Sequence, residues 1–195
     1  HVIEDIGYLG MGAVVGEFEH DLEEYIGGGR RVLCVNSGTA ALHLAVQACT
    51  HPGDDVLVPS FTFVSSFQAI TGAGCHPISC DIDPETLTLD LKDAEKRITP
   101  KTTAMMPVYY ASNCNMVNEY QEFARKHNLR LIEDAAHSFG CKNLGRRIGS
   151  FGDVVCFSFD GIKNITSGEG GAVVTANPDT IQKVSDARLL GVQKD

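Results

Sequence analysis

No cluster of lysine or arginine stands out among the 195 residues, and 25 acidic side chains outweigh 16 basic ones, giving a formal net charge of −9. A sequence-independent grip on nucleic acid needs a dense basic face, so that function is set aside. A small anionic ligand is not excluded, because backbone N–H groups at helix starts bind anions without net positive charge. No apolar run reaches the length of a membrane-spanning helix, so no membrane partner is expected. CxxC pairs are absent. The seven cysteines, Cys34, Cys49, Cys75, Cys80, Cys114, Cys141 and Cys156, are odd in number and scattered in spacing. Neither a zinc site nor a disulfide framework follows. Most lie in apolar stretches, where cysteine acts as a small hydrophobe, and a reducing cytoplasm is the simplest setting. His20, His43, His51, His76 and His127 show no metal-ligand spacing, so no metal is expected. Tryptophan is missing altogether. So are repeats, low-complexity tracts and Pro/Ser-rich linkers, and residues 1–195 read as one domain. No signal peptide is visible, but the chain opens on His1 rather than Met, so its natural start is expected upstream.

What is present is ordinary globular material, 43% hydrophobic and 21% charged. The 20 glycines are about 10% of the chain against a usual ~7%, which suggests tight turns or close backbone approach to a ligand. Helical spacing of Val15, Phe18, Leu22 and Ile26 predicts a helix over 15–26, ended by Gly27-Gly28-Gly29. Further helices are predicted at 39–49, 63–73, 91–98 behind an Asp90 cap, 115–126 and 179–190. Short apolar runs predict strands at 31–35, 55–58, 75–80, 103–108, 129–133, 154–157 and 172–175. Alternation of short strands with helices predicts an α/β fold, a three-layer αβα sandwich around a mostly parallel sheet. In such folds the loops at the strands' carboxyl ends hold the ligand.

Three of those loops carry chemistry. Asn36-Ser37-Gly38-Thr39 leaves a strand and opens a helix, which suits a phosphate cradle and equally an ordinary Ser/Thr cap. Glu133-Asp134-Ala135-Ala136-His137 puts two acids at a strand's end. One of them can pair with a cationic ring nitrogen, or it can cap a helix. The segment 157–164, FSFDGIKN, places Lys163 near Phe159, Ile162 and a glycine-rich turn, a candidate for a desolvated amine able to form a Schiff base. Each signal alone has a bland reading. Together, and in this order, they are the equipment for pyridoxal 5'-phosphate: phosphate anchor, pyridinium partner and reactive lysine.

The stretches NSGTAALHLA, PSFTF, EDAAHSFGCKNLGRRIGSFGD and FSFDGIKNITSGEGGAVVT resemble the DegT-type (DegT/DnrJ/StrS) sugar-nucleotide aminotransferases, with further similarity in GEFEHDLEEYIG, GDDVLVPSFTF, CDIDPETLTLD and the closing RLLGV. The resemblance covers nearly the whole chain. It implies the large domain of a fold-type-I pyridoxal phosphate enzyme, with the family's first helix and small C-terminal domain missing. It further implies that Lys163 bonds the cofactor and shuttles the proton, and that Asp134 keeps the pyridine nitrogen protonated. His137 then lies near the phenolic oxygen, Phe63 stacks on the ring, and Gly38, Thr39 and Ser158 contact the phosphate. Ser37 and Ala40 border that loop without an assigned contact, and Glu169 is left without a role.

The implied reaction moves an amino group from an amino acid, most often L-glutamate, to a nucleotide-linked keto sugar, in a homodimer whose sites are shared. The usual destinations are surface polysaccharide, lipopolysaccharide and antibiotic sugars. Lysine rather than histidine at position 163 implies an aminotransferase and not a related dehydratase. A cyclitol ketone or an aminobenzoate precursor is the alternative substrate, and a non-catalytic cofactor-domain fragment the alternative class. Two departures stand out. Tyr109 replaces the His of the relatives' PVH, which precedes a glycine-containing turn, and either alters substrate choice or packs as a core aromatic. Asp160 stands where relatives often have His, and a carboxylate there tends to raise the lysine pKa.

Overall fold

The computed structural model describes residues 12–189. Helix α1 (Ala13–Ile26) buries Leu22 and Ile26 and stops at Gly27, whose φ of 79° closes the turn. Strand β1 (Arg31–Val35) leads into α2 (Gly38–Cys49), then β2 (Asp55–Pro59), α3 (Val64–Gly72) and β3 (His76–Cys80). Helix α4 (Leu91–Lys96) starts where the Asp90 carboxylate accepts the Lys92 N–H, and ends two residues short of the expected Ile98. Strand β4 (Thr102–Met105), helix α5 (Val117–Lys126) and strand β5 (Arg130–Asp134) follow. A two-residue-stranded ribbon, β6 (Lys142–Asn143) and β7 (Arg146–Arg147), comes next, and nothing in the periodicity foretold it. Strands β8 (Val154–Ser158) and β9 (Gly171–Thr175) and helix α6 (Pro178–Arg188) complete the described chain. Residues 190–195, including the end of the RLLGV match, lie outside it.

Seven strands form one sheet in the order β1-β9-β8-β5-β4-β2-β3. Only β9 runs against its neighbours. All five residues of β2, β8 and β9 are buried, as expected of strands covered on both faces. Period-two alternation sorts their side chains. Val32, Cys34, Leu57, Met105, Leu131, Val155 and Phe157 face a core shared with α1, α4 and α5. Leu33, Val56, Val58, Ala104, Ile132, Val154 and Cys156 face a second core under α2, α3 and α6. Three layers result. Helix α2 lies against the sheet through Ala41, Leu42, Ala45 and Val46, and burial of a leucine or valine of this kind contributes about 1.5–3 kcal/mol.

Two polar ties fix the layers. Arg130 on β5 grips the Asp153 carboxylate with two nitrogens, at 2.6 and 2.9 Å, and also donates to Thr180 of α6. Arg188 pairs with Glu19, whose carboxylate accepts the Cys34 N–H, so α6, α1 and β1 share one junction. The strand expected at 103–108 ends at Met105 because Pro107 has no N–H to continue the ladder. The chain stays extended there: Met106 N–H donates to Leu57, and the Pro107 carbonyl accepts from Asp134. That extension brings residues 108–110 to the carboxyl end of β5.

Candidate active site

The carboxyl ends of β1, β2, β4, β5 and β8 converge on a cavity of about 460 Å3. That size suits a small organic ligand. Its walls contain Gly38, Thr39, Phe63, Asp134, His137, Ser158 and Lys163, and also Ser37, Phe61, Tyr110, Asp160 and Glu169.

At one end stands the start of α2. The Ser37 hydroxyl accepts the Ala40 N–H, and the Ser37 carbonyl accepts the Ala41 N–H. The preceding N–H groups, of Gly38 and Thr39, have no place in the helix's own ladder. Ser37 is thus used as the cap. A Cβ on Gly38 would sit 2.7 Å from the Ser158 Cβ and 3.0 Å from its hydroxyl oxygen, so only glycine lets the β8 terminus close on the helix start. Free N–H groups, a helix dipole and the hydroxyls of Thr39 and Ser158 together suit a dianionic phosphate.

Asp134 forms the floor. Adjacent residues of β5 point to opposite faces, so the two acids part company. Asp134 lines the cavity, and Glu133 enters the core beneath α1 and α5. The Asp134 carboxylate accepts the Ser66 hydroxyl at 3.0 Å and the Ala136 N–H at 3.2 Å. Burial pushes its pKa above the ordinary value, against the pull of those bonds and of His137 and Lys163. A cationic ring nitrogen is the partner such a carboxylate lacks.

His137 is held by the turn after Tyr109. Its Nδ1 accepts the Ala111 N–H at 3.3 Å, and its carbonyl accepts the Ser112 hydroxyl at 2.5 Å. Burial, then the charge of Lys163, lowers its pKa. The ring is therefore neutral at pH 7 with its proton on Nε2. Ala111 and Ser112 are left-handed, at φ of 49° and 67°. Each costs about 1–2 kcal/mol, offset in part by these two bonds to His137.

Lys163 sits half-buried in the loop joining β8 to β9. The loop is pinned at its base: Phe159 N–H donates to Gly170, Ser167 N–H to Phe159, and the Asn164 amide to Phe139. The shielding expected from Ile162 and Phe159 is not there. Ile162 is 88% exposed, and Phe159 turns into the core against Phe18 and Phe139. Asp160 is occupied locally, its carboxylate accepting the Ile162 N–H. Phe63 stands at the rim, 73% exposed.

Tyr109 does not reach the cavity. It is buried, and its hydroxyl donates to Glu133 at 2.6 Å, so of the two readings the core aromatic holds and direct contact with substrate does not. Tyr110, its neighbour, lines the cavity instead, edge-on to Phe61 with ring centroids 4.6 Å apart. Sequence reasoning missed Phe61 and Tyr110. Alternation along 108–110 was the available signal, since it sends 108 and 110 one way and 109 the other.

Residues 2–195 match the profile of the DegT/DnrJ/EryC1/StrS aminotransferase family. The GDP-perosamine synthase of Caulobacter vibrioides is 44% identical over 184 residues, covering 93% of this chain and 49% of that protein. The fold superimposes on Streptomyces venezuelae DesV, solved with a ketimine intermediate, with a TM-score of 0.93 at 35% identity, covering 99% of this chain and 52% of DesV. NtdA from Bacillus subtilis, solved with the bound cofactor PMP, gives a TM-score of 0.87 at 30% identity over 95% of this chain and 42% of NtdA. The chain thus spans about half the length of the curated relatives it matches. With cofactor-type loops and fold in agreement over nearly its whole length, the chain belongs to the DegT/DnrJ/EryC1/StrS aminotransferase family.

Proposed function

We propose that this chain is the pyridoxal phosphate-binding large domain of an enzyme that transfers an amino group from an amino acid, such as L-glutamate, to a nucleotide-linked keto sugar. One observation carries the reading: a single cavity joins a capped helix N-terminus, a buried carboxylate and a lysine. Pyridoxal phosphate, when bound, would supply an aldehyde able to take an amino group and a ring able to hold an electron pair. The α2 N–H groups with Thr39 and Ser158 hold the phosphate. Asp134, fixed by Ser66 and Ala136, keeps a proton on the ring nitrogen. His137, whose Nδ1 accepts the Ala111 N–H, would offer its Nε2–H to the phenolic oxygen. Phe63, at the rim, would cover one ring face. Lys163 Nζ would be the attachment point for the aldehyde carbon and, once displaced by the incoming amine, would take the proton from the donor's Cα and return one to the sugar carbon. Lysine at this position favours amination over dehydration.

The working unit we propose is a homodimer in a reducing cytoplasm. Phe63, Val64, Ile162 and Ile165 are exposed apolar groups on the α3 start and the lysine loop, and a second copy would cover them. All seven cysteines are free thiols. Product analysis tests the reaction. Mass spectrometry of the protein supplied with pyridoxal phosphate, L-glutamate and nucleotide keto sugars is expected to show 2-oxoglutarate and an amino sugar nucleotide. Amination of a cyclitol ketone or an aminobenzoate precursor alone would replace the sugar reading.

A further inference from the structure

Tyr109 is bonded at three points to the short segment that carries Asp134 and His137. Its N–H donates to the Asp134 carbonyl at 3.0 Å, its carbonyl accepts the Ser138 hydroxyl at 3.5 Å, and its own hydroxyl donates to Glu133 at 2.6 Å. Glu133 in turn is wedged in place. Its other oxygen has no hydrogen-bond partner and lies where a Cβ on Gly152 would come within 2.0 Å. Around it stand Arg30, whose two terminal nitrogens donate to the carbonyls of Gly152, Asp153 and Val174 while its Nε has no partner, and Asp153, whose carboxylate is held by Arg130. Neither side chain of the Tyr109–Glu133 pair lines the cavity.

We infer that Tyr109 and Glu133 form a hydrogen-bonded post on the far face of the sheet that sets the position of Asp134 and His137. The two carboxylates are consecutive on one strand and on opposite faces, so rotation of β5 about its axis at Glu133 swings Asp134 in the opposite sense. With the Tyr109 hydroxyl bonded behind the strand, its N–H bonded to the Asp134 carbonyl and its carbonyl bonded by the Ser138 hydroxyl just past the strand, the strand end is held against rotation toward or away from the cavity. A fork of this kind needs a long side chain with a terminal hydroxyl at position 109. Phenylalanine fills the space without the bond. The pair touches no ligand and acts through its neighbours, so these are positioning residues. Burial pushes the Glu133 carboxyl up to about 7 against the pull of Tyr109 and Arg30, and its oxygen accepts the Tyr109 hydroxyl in either protonation state.

The inference rests on the proposed cofactor reading, and the test separates the two. Dissociation constants for pyridoxal phosphate, the 15N resonance of its ring nitrogen and thermal stability are compared across four proteins. In Tyr109→Phe the affinity is expected to fall about tenfold, equivalent to about 1.4 kcal/mol, with the ring-nitrogen resonance shifted toward the unprotonated form. Glu133→Gln, whose side-chain carbonyl still accepts the Tyr109 hydroxyl, is expected to retain both signals. In the double variant Tyr109→Phe/Glu133→Met both partners are apolar, so stability recovers, while the affinity loss and the shifted resonance persist. Recovery of affinity together with stability would make the pair structural only and overturn the inference. Tight binding by Tyr109→Phe would overturn it equally, and should that variant not fold, the double variant decides. Failure of the unsubstituted protein to bind the cofactor would overturn the functional reading first, and this inference with it.

Discussion

Asp134 and Glu133 are chain neighbours, both acidic and both buried, yet they live in different chemistries. Asp134 faces a cavity, accepts two hydrogen bonds and still has room for a cation on its open side. Glu133 faces packed side chains, accepts one bond and leaves an oxygen with no partner. One residue step in a β-strand accounts for the whole difference. The same division holds around the site. Residues on the cavity side, Gly38, Lys163 and His137, line the open space. Residues behind it, Tyr109, Gly152 and Arg30, are placed for each other. Substitutions in front are therefore expected to change chemistry with little change in stability, and those behind to do the reverse or to act through the front.

Lys163→Ala should give the largest effect. Amino transfer is expected to fall at least about 10³-fold in kcat, with the melting temperature unchanged, since the side chain is half-exposed and its loop is held by backbone bonds. Steady-state kinetics beside a thermal melt checks both halves. Asp134→Asn should come next, losing roughly 10²–10³-fold in kcat because a neutral amide cannot hold the ring nitrogen's proton. A larger loss of stability than of rate would break the contrast between the two faces. Behind the strand, Gly152→Ala puts a methyl against the Glu133 carboxylate at a φ of 90°. A denaturant titration should show about 2–4 kcal/mol of destabilisation.

The smallest effect is a pH slope. Glu133 is raised by burial from 4.5 to about 7, with Tyr109 and Arg30 pulling the other way. The folded state therefore binds the proton more tightly than the unfolded state. Its contribution to stability is fully present below pH 4.5 and is lost as pH rises through about 7. Glu133→Gln carries no such titration. Between pH 5 and 8 the cofactor-free variant should gain on the parent protein by about 1–3 kcal/mol. Parallel stability–pH curves would show that Glu133 titrates normally.

Much of this division was legible before any coordinates. The Gly38–Thr39 start, the two acids and Lys163 each follow a strand, and hydrophobic runs locate those strands to within a few residues. The sign of each side chain's direction was harder. Tyr109 stayed open between substrate choice and core packing because a resemblance locates a position but not its face. Alternation from Val108 to Tyr110 settles the face once Pro107 is known to extend β4 rather than end the extended chain. The β6–β7 ribbon was not legible. Its strands are too short for a period, and its turn uses Leu144 at a φ of 47°, a conformation leucine seldom signals. The exposure of Ile162 was hidden for a different reason, since an apolar residue beside a lysine reads as shielding until the loop is seen to turn it outward.

The most direct test of the account is the site of covalent attachment. Protein incubated with pyridoxal phosphate, reduced with borohydride and digested should show, by mass spectrometry, one stoichiometric pyridoxyl adduct on Lys163. It should also show a visible absorption band before reduction that Lys163→Ala lacks. A folded protein with no adduct, or with the adduct spread over other lysines, would contradict the assignment of this cavity as a pyridoxal phosphate site.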